Sequence, residues 1–319
     1  MHKKLAIVLL ALFLLITCIL TGCGKQITYD EAAGRYDIIF DPSIDQDKLV
    51  MWALKIQSGT DTKSGDSTFL RSPDGKTMLI DAGAPECAPQ IIDYLEELGV
   101  AKIDYLIASH PHIDHIGGMP EIINHFEIGK VYTSALEYPT KTYENFIKAI
   151  EENKLECIEL KEGDTFSFGD EVNVEVFNPT NPITYYEGYP EGSTQFVNNH
   201  SIVMKLNFKE RSLLFTGDVY APQELELVKK YSDKLKADIL KVPHHGADTS
   251  STGTFRKTIQ PQVAIMINDG IDSMGIYDKY RKAECNTFIT FIDGCVKVST
   301  DGMKVEVLTQ FDRTTDVLK

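Results

Sequence analysis

His110-Pro111-His112-Ile113-Asp114-His115 places three of the chain's eight histidines within six residues. The run follows the apolar stretch 103–107 and precedes Gly117-Gly118 and a helical pattern, so it occupies a strand-to-helix turn. In extended backbone, His110 and His112 project to the same side. The turn beyond them can bring Asp114 and His115 back toward the same point from another direction. Such a set supplies imidazole nitrogen to one metal, and carboxylate plus imidazole to a neighbour. Nitrogen and oxygen donors of this kind suit Zn²⁺, with Mn²⁺ or Fe as alternatives. The bland alternative is a solvated His-rich turn, and the density of donors argues against it.

Working outward, three more strand ends carry donors. Asn198-Asn199-His200-Ser201 precedes the strand candidate 202–208. Leu213-Leu214-Phe215-Thr216-Gly217-Asp218 is an apolar strand ending in Gly-Asp, and Leu240-Lys241-Val242-Pro243-His244-His245-Gly246 ends in His-His-Gly. Singly each is weak, since an Asp after a glycine is usually a turn residue. Together they gather six of the histidines, and two aspartates, at strand ends. His125 is left over as a plain helix-face histidine.

The strand candidates are 50–56, 68–71, 78–80, 103–107, 131–133, 172–177, 202–208, 212–215, 263–267, 286–292 and 295–299, with a peripheral strand at 36–40. Helical periodicity marks 88–98, 143–152, 223–231 and 277–283. Residues 71–76, with Pro73 and Asp74-Gly75 in turn positions, form a hairpin loop. Hairpin strands mixed with strand-helix units predict sheets with helices outside them. The Pro- and Tyr-rich stretch 178–199 is a long irregular connection, carrying tyrosines at 185, 186 and 189. Those rings can contact a base, a sugar or a quaternary ammonium group, or fill the loop's own small core; the second reading is preferred.

Composition supports a globular chain: 319 residues, 43% hydrophobic and 25% charged, which rules out collagen, coiled coil and disorder. The 32 Lys and Arg against 47 Asp and Glu leave a net charge of −15. That balance disfavours nucleic acid as a partner over a broad surface and leaves only a local basic patch open to it. At the N-terminus, His2, Lys3 and Lys4 precede the apolar run 5–20, too short for a stable membrane span and arranged like a secretory signal. Leu20-Thr21-Gly22-Cys23 then resembles the bacterial lipobox, with Cys23 as the lipidated residue. The expected organisation is a lipoprotein signal peptide over 1–22, a tether over 23–48 and a hydrolase domain over 49–319. The mature chain would sit on the cell membrane, lipid-anchored on its extracytoplasmic face. No C-x-x-C occurs, and Cys285 and Cys295 flank a strand, so no disulfide is expected between them.

His-x-His-x-Asp-His at 110–115, Gly217-Asp218 and His245-Gly246 resemble the signature of the metallo-β-lactamase (MBL) fold. Asp81, after Met78-Leu79-Ile80 and before Ala82-Gly83, is similar to that superfamily's early structural aspartate. Gly65-Asp66-Ser67, the Pro-Asp-Gly-Lys hairpin and Pro-His-His-Gly resemble the hydrolase domain of ComEC-type competence proteins, over about 49–310. The glycine-rich entry of that family is altered here to Ser58-Gly59-Thr60-Asp61-Thr62-Lys63. No polytopic membrane channel is present, so import of DNA by this chain is not expected.

The resemblance implies an α/β (α+β) four-layer αββα sandwich with two divalent metals at one edge, zinc before Mn or Fe. It implies His110, His112 and a third group for the first metal, and Asp114, His115 and His245 for the second, with Asp218 bridging both. Asn198, Asn199 and His200 compete for the third position, and His200 is taken. Asp114 and His244 are the catalytic candidates, His244 as a proton donor; Asn199 and Ser201 are candidates for orienting substrate oxygens. The implied reaction is hydrolysis of a phosphodiester or phosphomonoester, small or cell-envelope in origin, by a hydroxide shared between the metals. A β-lactamase-like or other ester or amide hydrolase is the alternative, and a non-catalytic ligand-binding lipoprotein is the other.

Overall fold

A computed structural model describes residues 27–29, 36–60 and 63–311. The expected signal peptide over 1–22 and Cys23 lie outside the described residues. Among the described residues, no helix is long and apolar enough to cross a membrane.

The first sheet begins with β1 (Ile27–Tyr29), β2 (Leu49–Ala53), β3 (Thr68–Arg71), β4 (Thr77–Ile80), β5 (Lys102–Ala108), β6 (Glu127–Ser134) and β7 (Cys157–Leu160). The second holds β8 (Thr165–Phe168), β9 (Val172–Asn178), β10 (Val203–Phe208), β11 (Arg211–Phe215), β12 (Ile239–Lys241), β13 (Val263–Met266) and β14 (Asn286–Ile289). The chain then returns to the first sheet as β15 (Val296–Thr300) and β16 (Val305–Thr309). The spatial orders are β1-β16-β15-β2-β3-β4-β5-β6-β7 and β14-β13-β12-β11-β10-β9-β8. Parallel pairing runs from β4 to β7 and from β11 to β14.

Three apolar layers hold four structural layers together. In β2, Leu49, Met51 and Ala53 face the second sheet, while Val50 and Trp52 face the outer helices. A strand buried on both faces reads as a continuous apolar run, which is why 50–56 stands out in the sequence. Outside the first sheet pack α1 (Ala88–Glu97), α2 (Met119–His125) and α3 (Lys141–Glu152); α4 (Ala221–Tyr231), α5 (Gly253–Ile259) and α6 (Met274–Arg281) cover the second. In α3, Phe146, Ala149 and Ile150 form the buried stripe, and Thr140 Oγ1 accepts from the Tyr143 amide at 3.3 Å. Such a cap contributes about 1 kcal/mol. The result is the αββα sandwich.

Several local expectations change. The strand expected at 36–40 is a helical turn, Tyr36–Ile39. Ile39 and Phe40 are consecutive, yet both are buried in the same outer layer, which the alternation of a strand forbids. The strand expected over 286–292 stops at Ile289, where Asp293 Oδ2 accepts from the Ile289 amide at 2.7 Å and closes the turn Thr290–Asp293. β7 and β8 carry no signal in the sequence because they are sheet edges, half exposed and mostly polar on one face. Cys87, Cys157, Cys285 and Cys295 are free thiols.

Candidate metal centre

The donors meet because parallel strands of both sheets end at one edge, the usual place for a site in a sheet of this kind. Ile80 ends β4, and Asp81 follows with φ 60°. Its carboxylate accepts from the Ser109 amide (2.8 Å) and hydroxyl (2.6 Å) and holds His115 Nδ1 at 2.8 Å. β5 delivers His110 and His112, and the single helical turn Ile113–Ile116 carries Asp114 and His115. β11 leads to Asp218 and β12 to His245, which reaches inward through positive φ at His244 (49°) and His245 (55°). Glycine is required at 65: φ is 78°, and a Cβ there would lie 1.6 Å from the Asp114 carbonyl oxygen. The same holds at Gly217, φ 48°, where a Cβ would meet Ser201 Cβ at 2.4 Å.

Asp218 Oδ2 is the focus. His115 Nε2 and His245 Nε2 each lie 3.2 Å from it. Asp114 Oδ2 approaches from the side, 3.6 Å from His245 Nε2 and 4.0 Å from His115 Nε2. His110 adjoins this group, its ring 4.0 Å from that of His115 and its Nε2 3.0 Å from His112 Nδ1. Donor atoms of Asp66, His115, Asp218 and His245 all fall within 4.8 Å of one another. His112 Nε2 is buried without a hydrogen-bond partner, as a nitrogen awaiting a Lewis acid would be. The donor set therefore fits a divalent metal.

Within that group the carboxylates divide by which edge of a histidine they meet. Asp81 holds Nδ1 of His115, and Asp66 Oδ1 holds Nδ1 of His245 at 2.9 Å, so both histidines aim Nε2 at Asp218. Asp66 is also ion-paired with buried Lys241, whose ammonium donates to the Gly217 carbonyl at 3.1 Å and lies 3.5 Å from Asp218 Oδ1. Asp66 thus orients a ligand, as carboxylates behind metal-binding histidines do.

Burial is the largest influence on every group here, and charge decides which way it is answered. His110 is held well below the ordinary histidine range by burial and by its neighbours His115 and His112. His115 and His245 go the other way: burial opposes their charge, but Asp218 with Asp81, and Asp218 with Asp66, raise both well above it. Against burial, His245, His115 and Lys241 hold Asp218 well below the carboxylate range, and His115 with His245 does the same for Asp114.

The structure brings His110, His112, Asp114, His115, Asp218 and His245 together. It does not bring His200 to them. The His200 Nδ1 meets the Phe196 carbonyl at 2.6 Å, its ring lies on Phe196 at 4.3 Å, and no hydrogen bond, ion pair or ring contact joins it to His110 or His112. Asn198 faces His112 and Tyr220 instead, and its buried Oδ1 has no partner. Asn199 and Ser201, expected at substrate, are fully buried: Asn199 Oδ1 accepts from the Tyr220 amide (2.9 Å), and Ser201 Oγ accepts from the Asp218 amide (3.1 Å) and donates to the Asn198 carbonyl (2.8 Å). His244 stands at the rim, 4.0 Å from Asp218 Oδ2, with Nδ1 on Thr249 Oγ1 at 2.5 Å and its ring 4.8 Å from Tyr220. Burial pushes its pKa down to about 4, so it is neutral at pH 7. His125 pairs with Glu96 at 2.9 Å on the surface. The sequence reading missed Asp66 and Lys241 as parts of the centre. The usable signal was charge inside apolar strands, above all Lys241 between Leu240 and Val242.

Residues 60–184 match the Metallo-beta-lactamase superfamily. ComE operon protein 3 of Bacillus subtilis (strain 168) is 27% identical over 223 residues, which are 65% of this chain and 27% of that protein. Competence protein ComA of Neisseria gonorrhoeae is 27% identical over 206 residues, 64% of this chain and 26% of that protein. The chain therefore spans about a quarter of the length of these relatives. Tm1679, a metal-dependent hydrolase of the beta-lactamase superfamily, shares the fold at a TM-score of 0.50 and 11% identity, covering 75% of this chain and 94% of that one.

Proposed function

From the metallo-beta-lactamase domain that this chain carries, homologous to the ComE operon and ComA proteins, we propose a lipid-anchored, extracytoplasmic phosphoesterase with two metals. The observation that carries the hydrolase reading is the buried convergence of His115 Nε2 and His245 Nε2 on Asp218 Oδ2, with Asp114 Oδ2 3.6 Å from His245 Nε2. His110 and His112, with Asn198 beside them, would hold one ion; Asp114, His115 and His245 would hold the other, and Asp218 would touch both. Bound there, such ions supply a water-derived nucleophile active at neutral pH and polarise the scissile bond.

The chain's own residues supply the rest. Asp81 and Asp66 fix the imidazoles, and the Ser201 hydroxyl fixes the Asp218 backbone. His244, neutral and at the rim, is placed to hydrogen-bond a substrate oxygen. Lys63, paired with Asp272 at 2.8 Å and within the field of Asp114 and Asp218, adds positive charge near the mouth. That charge supports an anionic substrate, a phosphodiester or phosphomonoester of small-molecule or cell-envelope origin.

The test is a metal-loaded preparation assayed against bis(p-nitrophenyl) phosphate, p-nitrophenyl phosphate and nitrocefin. Phosphoester turnover without nitrocefin cleavage is the expected result. Nitrocefin cleavage alone would make the chain a β-lactamase, and metal binding with no turnover of any of the three would leave a binding lipoprotein.

A further inference from the structure

A cavity of about 230 Å³ lies between the segment that follows β6 and the 178–199 connection. Its wall includes Leu136, Glu159, Lys161, Pro179, Ile183 and His200. Two of its wall residues are close in the chain to residues at the centre. Leu136 is two residues from Tyr138, whose ring lies 5.6 Å from that of His112, and His200 is two residues from Asn198.

His200 is 1% exposed, and its Nε2 is buried without a hydrogen-bond partner. The other nitrogen, Nδ1, sits 2.6 Å from the Phe196 carbonyl. A carbonyl only accepts, so the ring donates to Phe196 through Nδ1; the Thr184 carbonyl also bears on the ring, and Nε2 is left without a hydrogen bond that a hydroxyl can supply. At the exposed mouth stand the carboxylate of Glu159 and the ammonium of Lys161. One accepts and one donates, and their charges cancel. Leu136, Pro179 and Ile183 give the walls between floor and mouth an apolar face. The volume is below the roughly 300–1,000 Å³ of pockets for drug-sized ligands, so it suits a single ring.

We propose that this cavity binds a neutral hydroxylated ring, a sugar or a ribose, belonging to the substrate whose ester the metal centre cleaves. A ring of this kind has C–H faces for the apolar walls, a hydroxyl to donate to His200 Nε2, and further hydroxyls for Glu159 and Lys161. The link to the cleaved ester rests on the phosphoesterase reading, but binding of the ring does not require turnover.

The experiment is a binding titration of the full, metal-loaded chain with methyl β-D-glucopyranoside, uridine and, as a control without ring hydroxyl pattern, cyclohexanemethanol. Histidine side-chain ¹⁵N resonances report His200, and metal content is measured in parallel. Saturable binding of the glucoside or of uridine, with a shift at His200 Nε2, is expected, and which of the two binds identifies the source of the ring. His200→Phe should weaken that binding at least tenfold with metal content unchanged. Ile183→Trp, which fills the cavity and spares His200, should block it as well. Equal binding of cyclohexanemethanol, no saturable binding of either hydroxylated probe, or loss of metal from His200→Phe would overturn the proposal. Failure of the phosphoester assays with binding intact would remove the catalytic reading alone.

Discussion

Asp218 turns its two oxygens to different neighbours, Oδ2 to His115 and His245 and Oδ1 toward Lys241. Removing it takes away the carboxylate on which His115 and His245 converge. Asp218→Ala should lose at least one metal per chain and nearly all hydrolysis, with circular dichroism unchanged because the apolar layers lie elsewhere. Asp66→Asn is a milder test. It keeps the shape but weakens the grip on His245 Nδ1, and metal affinity should fall about 10–100-fold, read by competition with a chelating dye. Protonation follows the same geometry. His115 and His245 hold their protons at neutral pH in the metal-free chain, so a metal must displace them. Affinity should therefore rise from pH 6 to pH 8, with protons released on binding, measured by calorimetry in buffers of different ionisation enthalpy. For the metal-free chain the sign is opposite. The raised histidine pKa values contribute stability that is complete below the unfolded value and is lost as pH climbs through the folded one.

At the scale of elements, the N-terminal segment is tied to the sheet by a buried ion pair. Lys297 in β15 reaches Asp45 at 2.6 Å, with side chains 2% and 4% exposed, and Trp52 Nε1 donates to the Ile39 carbonyl at 2.8 Å. Burial lowers the Lys297 pKa, and Asp45 opposes that. Lys297→Ala would leave buried Asp45 with only Lys48, 3.6 Å away, to answer its charge, a loss of up to about 3–5 kcal/mol. A denaturant titration should show the midpoint fall with the slope unchanged, while metal content in the folded protein stays the same. The long connection between β9 and β10 is organised by aromatic contacts, Tyr185 on Phe196 (5.5 Å) and Tyr189 on Tyr220 (6.2 Å). Tyr220 in turn lies 4.8 Å from His244, so the loop borders the centre.

For the whole molecule, the proposed lipid anchor at Cys23 would hold the hydrolase domain outside the cytoplasmic membrane. Cys23→Ala should release the protein from the membrane fraction or leave an unprocessed precursor, seen by fractionation and immunoblot; a chain still membrane-bound and processed at the same site would sink the anchoring. The net charge of −15 sets a second property at this scale. It disfavours long polyanions as partners over a broad surface.

What the sequence determined by itself was the identity of the donors and the class of fold. Donor types cluster at strand ends, and doubly buried strands read as apolar runs, because both features are local and repeat with the backbone's own period. The His110–His115 run, Asp218 and His245 could be read in this way. Only the tertiary structure decided the direction in which a side chain leaves the backbone at an irregular position. At 198–200 the chain is a short helix, Thr194–Asn199, ending in a turn, and that geometry turns Asn198 toward His112 and His200 into a cavity. No spacing rule separates three consecutive candidates across such a turn. Asp66 and Lys241 were hidden for a different reason. Their charges are answered across 175 residues of chain, in the gap between two sheets, and no local pattern records a partner that only folding supplies.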